Sequence, residues 1–121
     1  MANLTLQQIC EQSVSRANRW HGGDMNGWSA LEWAGTMAVE AGEACNAAKK
    51  LKRLEDGIAS INEARRQFAD VTEARQAVVK EVADTILYAV LLAARVNIDL
   101  ENTLIEVFNK KSEEYGFPER L

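Results

Sequence analysis

Proline and histidine each occur once in the 121 residues. With a single proline, long stretches of Ala, Glu, Leu, Arg and Lys run uninterrupted; that composition favours helix throughout, and no alternating strand pattern competes with it. The single histidine, His21, lies in a glycine-rich stretch. It excludes a di-iron carboxylate bundle, which needs Glu-x-x-His motifs on its helices. Cysteine is scarce as well. Cys10 and Cys45 stand in helical surroundings with no CxxC partner, and they read as reduced structural thiols. Long apolar runs are missing: the most apolar stretch, TILYAVLLAARV at 85–96, falls short of the ~18–20 residues that cross a bilayer and reads as a core helix. The start, MANLTLQQICEQ, has neither a basic region nor a long apolar one, so no secretory signal is expected and the cytoplasm is the expected compartment. An excess of basic charge is missing too: 18 acidic against 14 basic residues give a net charge of −4. Nonspecific binding to nucleic acid is therefore not expected, and a phosphate ligand has to be held locally or through metal ions.

What is present reads as one soluble domain over residues 1–121, 47% hydrophobic and 26% charged, without internal repeats or low-complexity segments. The pattern predicts a first helix from about Leu4 to Trp20, broken by HGGDMNG at 21–27. Ser29-Ala-Leu-Glu32 fits a capping box and opens a second helix reaching Leu54. Between Glu55 and Thr72 the pattern loosens into a partly mobile connector, with a short amphipathic segment at INEARRQF. A third helix is predicted from about Glu73 to Val96; Asp99 then caps a fourth, which runs to Glu114 before Gly116 and Pro118 stop it. Four such helices pack as an all-α bundle, alone or within an oligomer.

Two acidic pairs carry the chemistry. In MAVEAGEACNAAKKLKR (37–53), Glu40 and Glu43 stand at i and i+3, on one face and about 5–6 Å apart at Cβ. A helical projection puts Met37, Ala41, Ala44, Ala48 and Leu51 in one stripe, with Glu40, Glu43 and Ala47 along its edge. On the third helix Glu81, Asp84, Tyr88, Leu91 and Arg95 share a face within an otherwise apolar stretch, so Asp84 is expected to be partly buried. Burying unpaired carboxylates is costly, and two charges about 5 Å apart repel by roughly 3 kcal/mol at an effective dielectric near 20. A hard divalent cation such as Mg²⁺ removes that cost if the two helices are adjacent. An ExxE alone also occurs on solvated helix faces; the second pair, in a buried-looking helix, shifts the balance toward metal.

This order of motifs, ExxE then ExxD, with Tyr88 one turn later and the ending NIDLENTLIEVFNKKSEEYGFPERL, resembles the MazG-like all-α nucleoside triphosphate pyrophosphohydrolases from Trp20 to Leu121. RWHGGDMNGWSALEW, EAGEACNAAKKLKR and GFPERL resemble the phage-type, MazZ-like branch that acts on purine deoxynucleotides. The resemblance implies a four-helix MazG-like bundle completed by oligomerisation, most simply a homotetramer. It implies hydrolysis of a (deoxy)nucleoside triphosphate, dGTP or dATP preferred, to monophosphate and pyrophosphate, for nucleotide-pool control or to supply dGMP to a phage modified-base pathway. It also implies Mg²⁺, with Mn²⁺ able to substitute and two or more ions per site, held by Glu40, Glu43, Glu81 and Asp84. One glutamate, Glu43 before Glu40, is the candidate general base.

Base recognition is expected from the crowded Trp20, His21, Trp28 and Trp33, with Trp33 the first candidate for the core and Trp20 or Trp28 for stacking. Asn18 and His21 could read base edges. Tyr88, Lys50 and Arg53, together with Asn109 and Lys110, are candidate substrate contacts, although most basic residues on these helices belong to solvated surface. Val107 departs from the family pattern, where a basic residue often stands; Arg95 either substitutes for it or pairs with an acid. Two other classes remain open on the same residues: a noncatalytic helical regulator, and a metal hydrolase releasing a different product.

Overall fold

A threonine and a glutamine set where the first helix begins. The Thr5 N–H donates to Gln8 Oε1 at 2.9 Å and the Gln8 N–H to Thr5 Oγ1 at 3.1 Å, a reciprocal capping box. The computed structural model describes residues 3–20, 22–57 and 70–121. Its helices are α1 (Leu6–Trp20), α2 (Ala30–Asp56), α3 (Val71–Arg95) and α4 (Leu100–Tyr115), with a 3-10 turn at Met25–Gly27. Among the described residues the protein is all-α, as the sequence predicts, and no helix is long and apolar enough to cross a membrane. His21 and most of the predicted connector, including INEARRQF, lie outside the described residues.

Local chemistry explains the boundaries. Helix α2 starts directly after Ser29, where the capping box places it, and ends at Gly57, whose φ of 66° only glycine adopts freely. Asp70 caps α3 by accepting from the Glu73 N–H at 2.8 Å, so the helix begins two residues earlier than predicted. Its end is made by Asn97, at φ 58°, the one non-glycine with positive φ among the described residues. The Ile98 N–H reaches Ala93 O and the Asn97 N–H reaches Ala94 O, a Schellman closure. Asp99 then caps α4 through the Asn102 N–H at 3.1 Å, and Gly116 closes it with the same motif, Phe117 N–H to Ser112 O.

The chain forms two units. One comprises residues 1–30 and 90–121; Ser13, Ala17, Met25, Val90, Leu91 and Ser112 are its buried residues. The other comprises residues 31–89, with Trp33, Ala47 and Ala74 buried. In this second unit α2 and α3 are antiparallel. Trp33 meets Tyr88 with ring centroids 6.3 Å apart, and two turns further along α2 and two turns back along α3, Glu40 meets Glu81.

The predicted stripe on α2 holds at Met37, Ala41, Ala44 and Leu51, all half-buried, but not at Ala48. Ala47 is buried and Ala48 exposed, so the innermost line runs through Trp33, Glu40 and Ala47; half-buried Glu40 stands on that line and exposed Glu43 at its edge. On α3 the apolar stretch is only partly covered: Val79, Val82 and Ile86 form an exposed stripe at helical spacing.

Candidate metal centre

The antiparallel pairing of α2 and α3 brings the two acidic motifs together. Glu40, Glu43 and Glu81 each offer a carboxylate oxygen, and the three oxygens lie within 4.8 Å of one another. Glu40 and Glu81 are half-buried and Glu43 is exposed. A carboxyl partly shielded from water among nearby negative charges is pushed toward its protonated form. The Glu40 pKa is raised first by desolvation, then by the charge of Glu43 and of Asp84, by a hydrogen bond with Glu43, and by the charge of Glu81.

Asp84 lies one turn beyond Glu81 and is partly buried, as expected, with its side chain 34% exposed. It lies outside the three-glutamate group, and Lys80 engages it. Lys80 Nζ is 2.8 Å from Asp84 Oδ2 and 3.4 Å from Glu81 Oε1. The ammonium's pKa is raised by the hydrogen bond and charge of Asp84 and then by those of Glu81.

One atom among these acids has no counterpart. Glu81 Oε2 is buried without a hydrogen-bond partner. A desolvated anionic oxygen of that kind is costly. It lies in an all-oxygen donor set, which suits a hard divalent cation such as Mg²⁺ or Mn²⁺ and does not suit a thiolate- or imidazole-seeking metal. The residues present therefore fit the metal that the sequence suggests.

The other candidates divide. Tyr88 is half-buried against Trp33, and Trp33, 1% exposed, is a core residue. Lys50 and Arg53 stand further along α2, both half-buried; Lys50 is about 10 Å beyond Glu43 along the helix axis. In the other unit, Trp20 is 69% exposed with the Arg16 guanidinium 5.4 Å from its ring, and Trp28 is half-buried. Asn18 and Asn109 are engaged in holding the chain. Asn18 Oδ1 accepts from the Met25 N–H at 2.7 Å. The Asn109 amide pairs with both the N–H and the carbonyl of Leu121, at 2.8 and 3.4 Å. Lys110 is exposed on α4. Arg95 Nε donates to the Trp28 carbonyl at 2.7 Å, and no ion pair of Arg95 with an acid is seen among the described residues. Both cysteines are free thiols; burial, then the charges of Asp99, Glu101 and Glu11, raises the Cys10 pKa and keeps that thiol protonated and unreactive.

Sequence reasoning missed Lys80 as a partner of the acids. Its place four residues before Asp84 on one helix face was the available signal. Comparison with known protein families, curated proteins and solved structures yields no match.

Proposed function

We propose that the chain is a metal-dependent nucleoside triphosphate pyrophosphohydrolase of the MazG-like kind, converting a purine deoxynucleoside triphosphate, dGTP or dATP, to its monophosphate and pyrophosphate. The observation that supports this most is the buried, unpartnered Glu81 Oε2 beside the carboxylates of Glu40 and Glu43. Glu40, Glu43, Glu81 and Asp84 hold Mg²⁺ or Mn²⁺ in this reading. Two or more ions held there would supply charge neutralisation of the triphosphate and a water acidified for attack on the α-phosphorus.

The chain's own groups have separate tasks. Half-buried Glu40 and Glu81 fix the inner carboxylates. Solvent-facing Glu43 takes the proton of the attacking water as general base. Lys80 would yield Asp84 to a divalent cation, and its exposed side chain leaves room for it to turn away. Lys50 and Arg53 contact phosphate oxygens, and Trp20 or Trp28 stacks on the base. The same proposal includes a homotetramer. The exposed stripe of Val79, Val82 and Ile86, and the exposed Leu104, Val107 and Phe108 of α4, are apolar surface of the kind that protomers cover. Pathway roles in nucleotide-pool control or in dGMP supply remain part of this reading.

The test is incubation with each dNTP and NTP, with and without Mg²⁺, separating NMP, NDP, pyrophosphate and orthophosphate. Metal-dependent NMP and pyrophosphate are expected, lost in Glu43→Ala. Orthophosphate release, or no turnover of any nucleotide, overturns the proposal.

A further inference from the structure

The turn between α1 and α2 contains Gly22, Gly23 and Gly27, and Gly22 and Gly23 both take positive φ. Glycines lower the barrier to alternative courses of the chain, yet one side chain from the adjoining α1 and one from α3 hold this one. Asn18, in the last turns of α1, accepts twice: its main-chain carbonyl from the Gly23 N–H and its Oδ1 from the Met25 N–H, both at 2.7 Å. Between those anchor points Asp24 Oδ1 accepts from the Asn26 N–H at 2.8 Å, starting the 3-10 turn, and the Met25 side chain is only 3% exposed. At the far end, Arg95 in the last turn of α3 donates from Nε to the Trp28 carbonyl across 67 residues of sequence. Asn18, Trp28 and Arg95 are each half-buried and belong to the same unit, where hydrogen bonds are stronger than in open solvent.

We infer that Asn18 and Arg95 are positioning residues, a two-point clasp that fixes the 22–28 turn and the pose of Trp28, and that base selectivity depends on that clasp. The selectivity half rests on the nucleotide-hydrolase reading above. The chemistry required of Asn18 is specific. The clasp uses an oxygen acceptor at position 18, whereas reading a base edge with this side chain would use the amide donor as well. Aspartate keeps the acceptor and removes the donor, so Asn18→Asp separates the two roles; Asn18→Ala removes both. From the other end, Arg95→Met keeps the stem and removes the donor to Trp28.

Two measurements on the full chain test the clasp. The first is hydrogen exchange at the Met25 amide without nucleotide, where the loss of one hydrogen bond is expected to speed exchange about fivefold in Asn18→Ala and to leave Asn18→Asp within about twofold of the parent. The second is the kinetics of each dNTP. In Asn18→Ala and Arg95→Met, KM for the preferred base is expected to rise about tenfold while kcat changes little, flattening the ranking of bases, and Asn18→Asp is expected to restore the ranking. Unchanged Met25 exchange in Asn18→Ala overturns the clasp. An Asn18→Asp variant that keeps the protection but loses the ranking makes Asn18 a base contact and overturns the selectivity claim. A parent protein that neither binds nor hydrolyses any nucleotide defeats the functional reading and the selectivity claim with it, while exchange at Met25 still decides the clasp.

Discussion

Glu81→Gln offers the sharpest test of the acidic centre, because it changes charge and hydrogen bonding with almost no change in shape. In the parent, Glu81 Oε2 is buried without a partner, and carboxylate oxygens of Glu40 and Glu43 lie within 4.8 Å of a Glu81 oxygen. The glutamine amide replaces an acceptor among acceptors with a donor, so the variant removes repulsion and gains a hydrogen bond. An unsatisfied buried polar group costs about 1–3 kcal/mol, and that is the stabilisation expected without metal. For a domain of this size each kcal/mol moves the melting temperature by about 3–5 °C. Thermal melts in chelator should therefore place Glu81→Gln roughly 3–15 °C above the parent. Millimolar Mg²⁺ or Mn²⁺ should then reverse the order. A ligand at about a hundred times its Kd stabilises the native state by about 2.7 kcal/mol, and the variant forgoes most of that. A variant that melts below the parent in chelator, together with a parent that ignores both cations, refutes the reasoning: it would mean that Glu81 is satisfied as a free carboxylate and that the cluster needs no cation.

Further outcomes are expected elsewhere. Glu40 has a raised pKa in the fold, so between the ordinary carboxylate range and that raised value the native state holds more protons than the unfolded one. Its contribution to stability is full below the unfolded pKa and is lost as pH rises through the folded pKa; Glu40→Gln should flatten this slope in chelator titrations monitored by circular dichroism. Trp33→Ala empties a site only 1% exposed and should cost about 3–5 kcal/mol in urea melts. Asn97→Gly relieves the left-handed backbone at φ 58° and should raise stability by up to about 1 kcal/mol. Asp84→Ala should abolish metal-dependent turnover while leaving helical circular dichroism nearly unchanged, since that carboxylate is bonded to exposed Lys80.

The parts that proved legible in the sequence are governed by local chemistry. Asp99 and Gly116 mark helix ends through bonds to residues a few positions away, and α2 starts directly after Ser29, where the local pattern puts it. The start of α1 lies two residues after the expected one and that of α3 two residues before it, because Thr5 with Gln8 and Asp70 with the Glu73 N–H cap these helices. The phase of α2 was harder to read. In AVEAGEACNAA the alanines and glycine give little contrast between faces, and it is the packing of Trp33, a non-local fact, that turns Ala47 inward and Ala48 outward. The meeting of Glu40 and Glu43 with Glu81 could be anticipated only on the condition that the two helices are neighbours. Asn18, Arg95 and Asn109 show the limit of such reading. An amide or guanidinium that looks available for a ligand is engaged here with Met25, Trp28 or Leu121, and no periodicity encodes those partners.

The three tryptophans fall in three different surroundings. Trp33 is sealed in one unit; Trp20, open to water under Arg16, and half-buried Trp28 belong to the other. The chain thus carries its own optical labels. With Trp20 and Trp28 replaced by phenylalanine, the remaining emission should be blue-shifted and should report the melting of the α2–α3 pair alone; with Trp33 replaced, it should report the glycine-rich turn and its surroundings. Because α3 runs through the boundary between the units at Ala89 and Val90, superimposable melting curves from the two labels would mean that this helix transmits the loss of one unit to the other as a single cooperative event, and separated curves would mean that it frays at that boundary first.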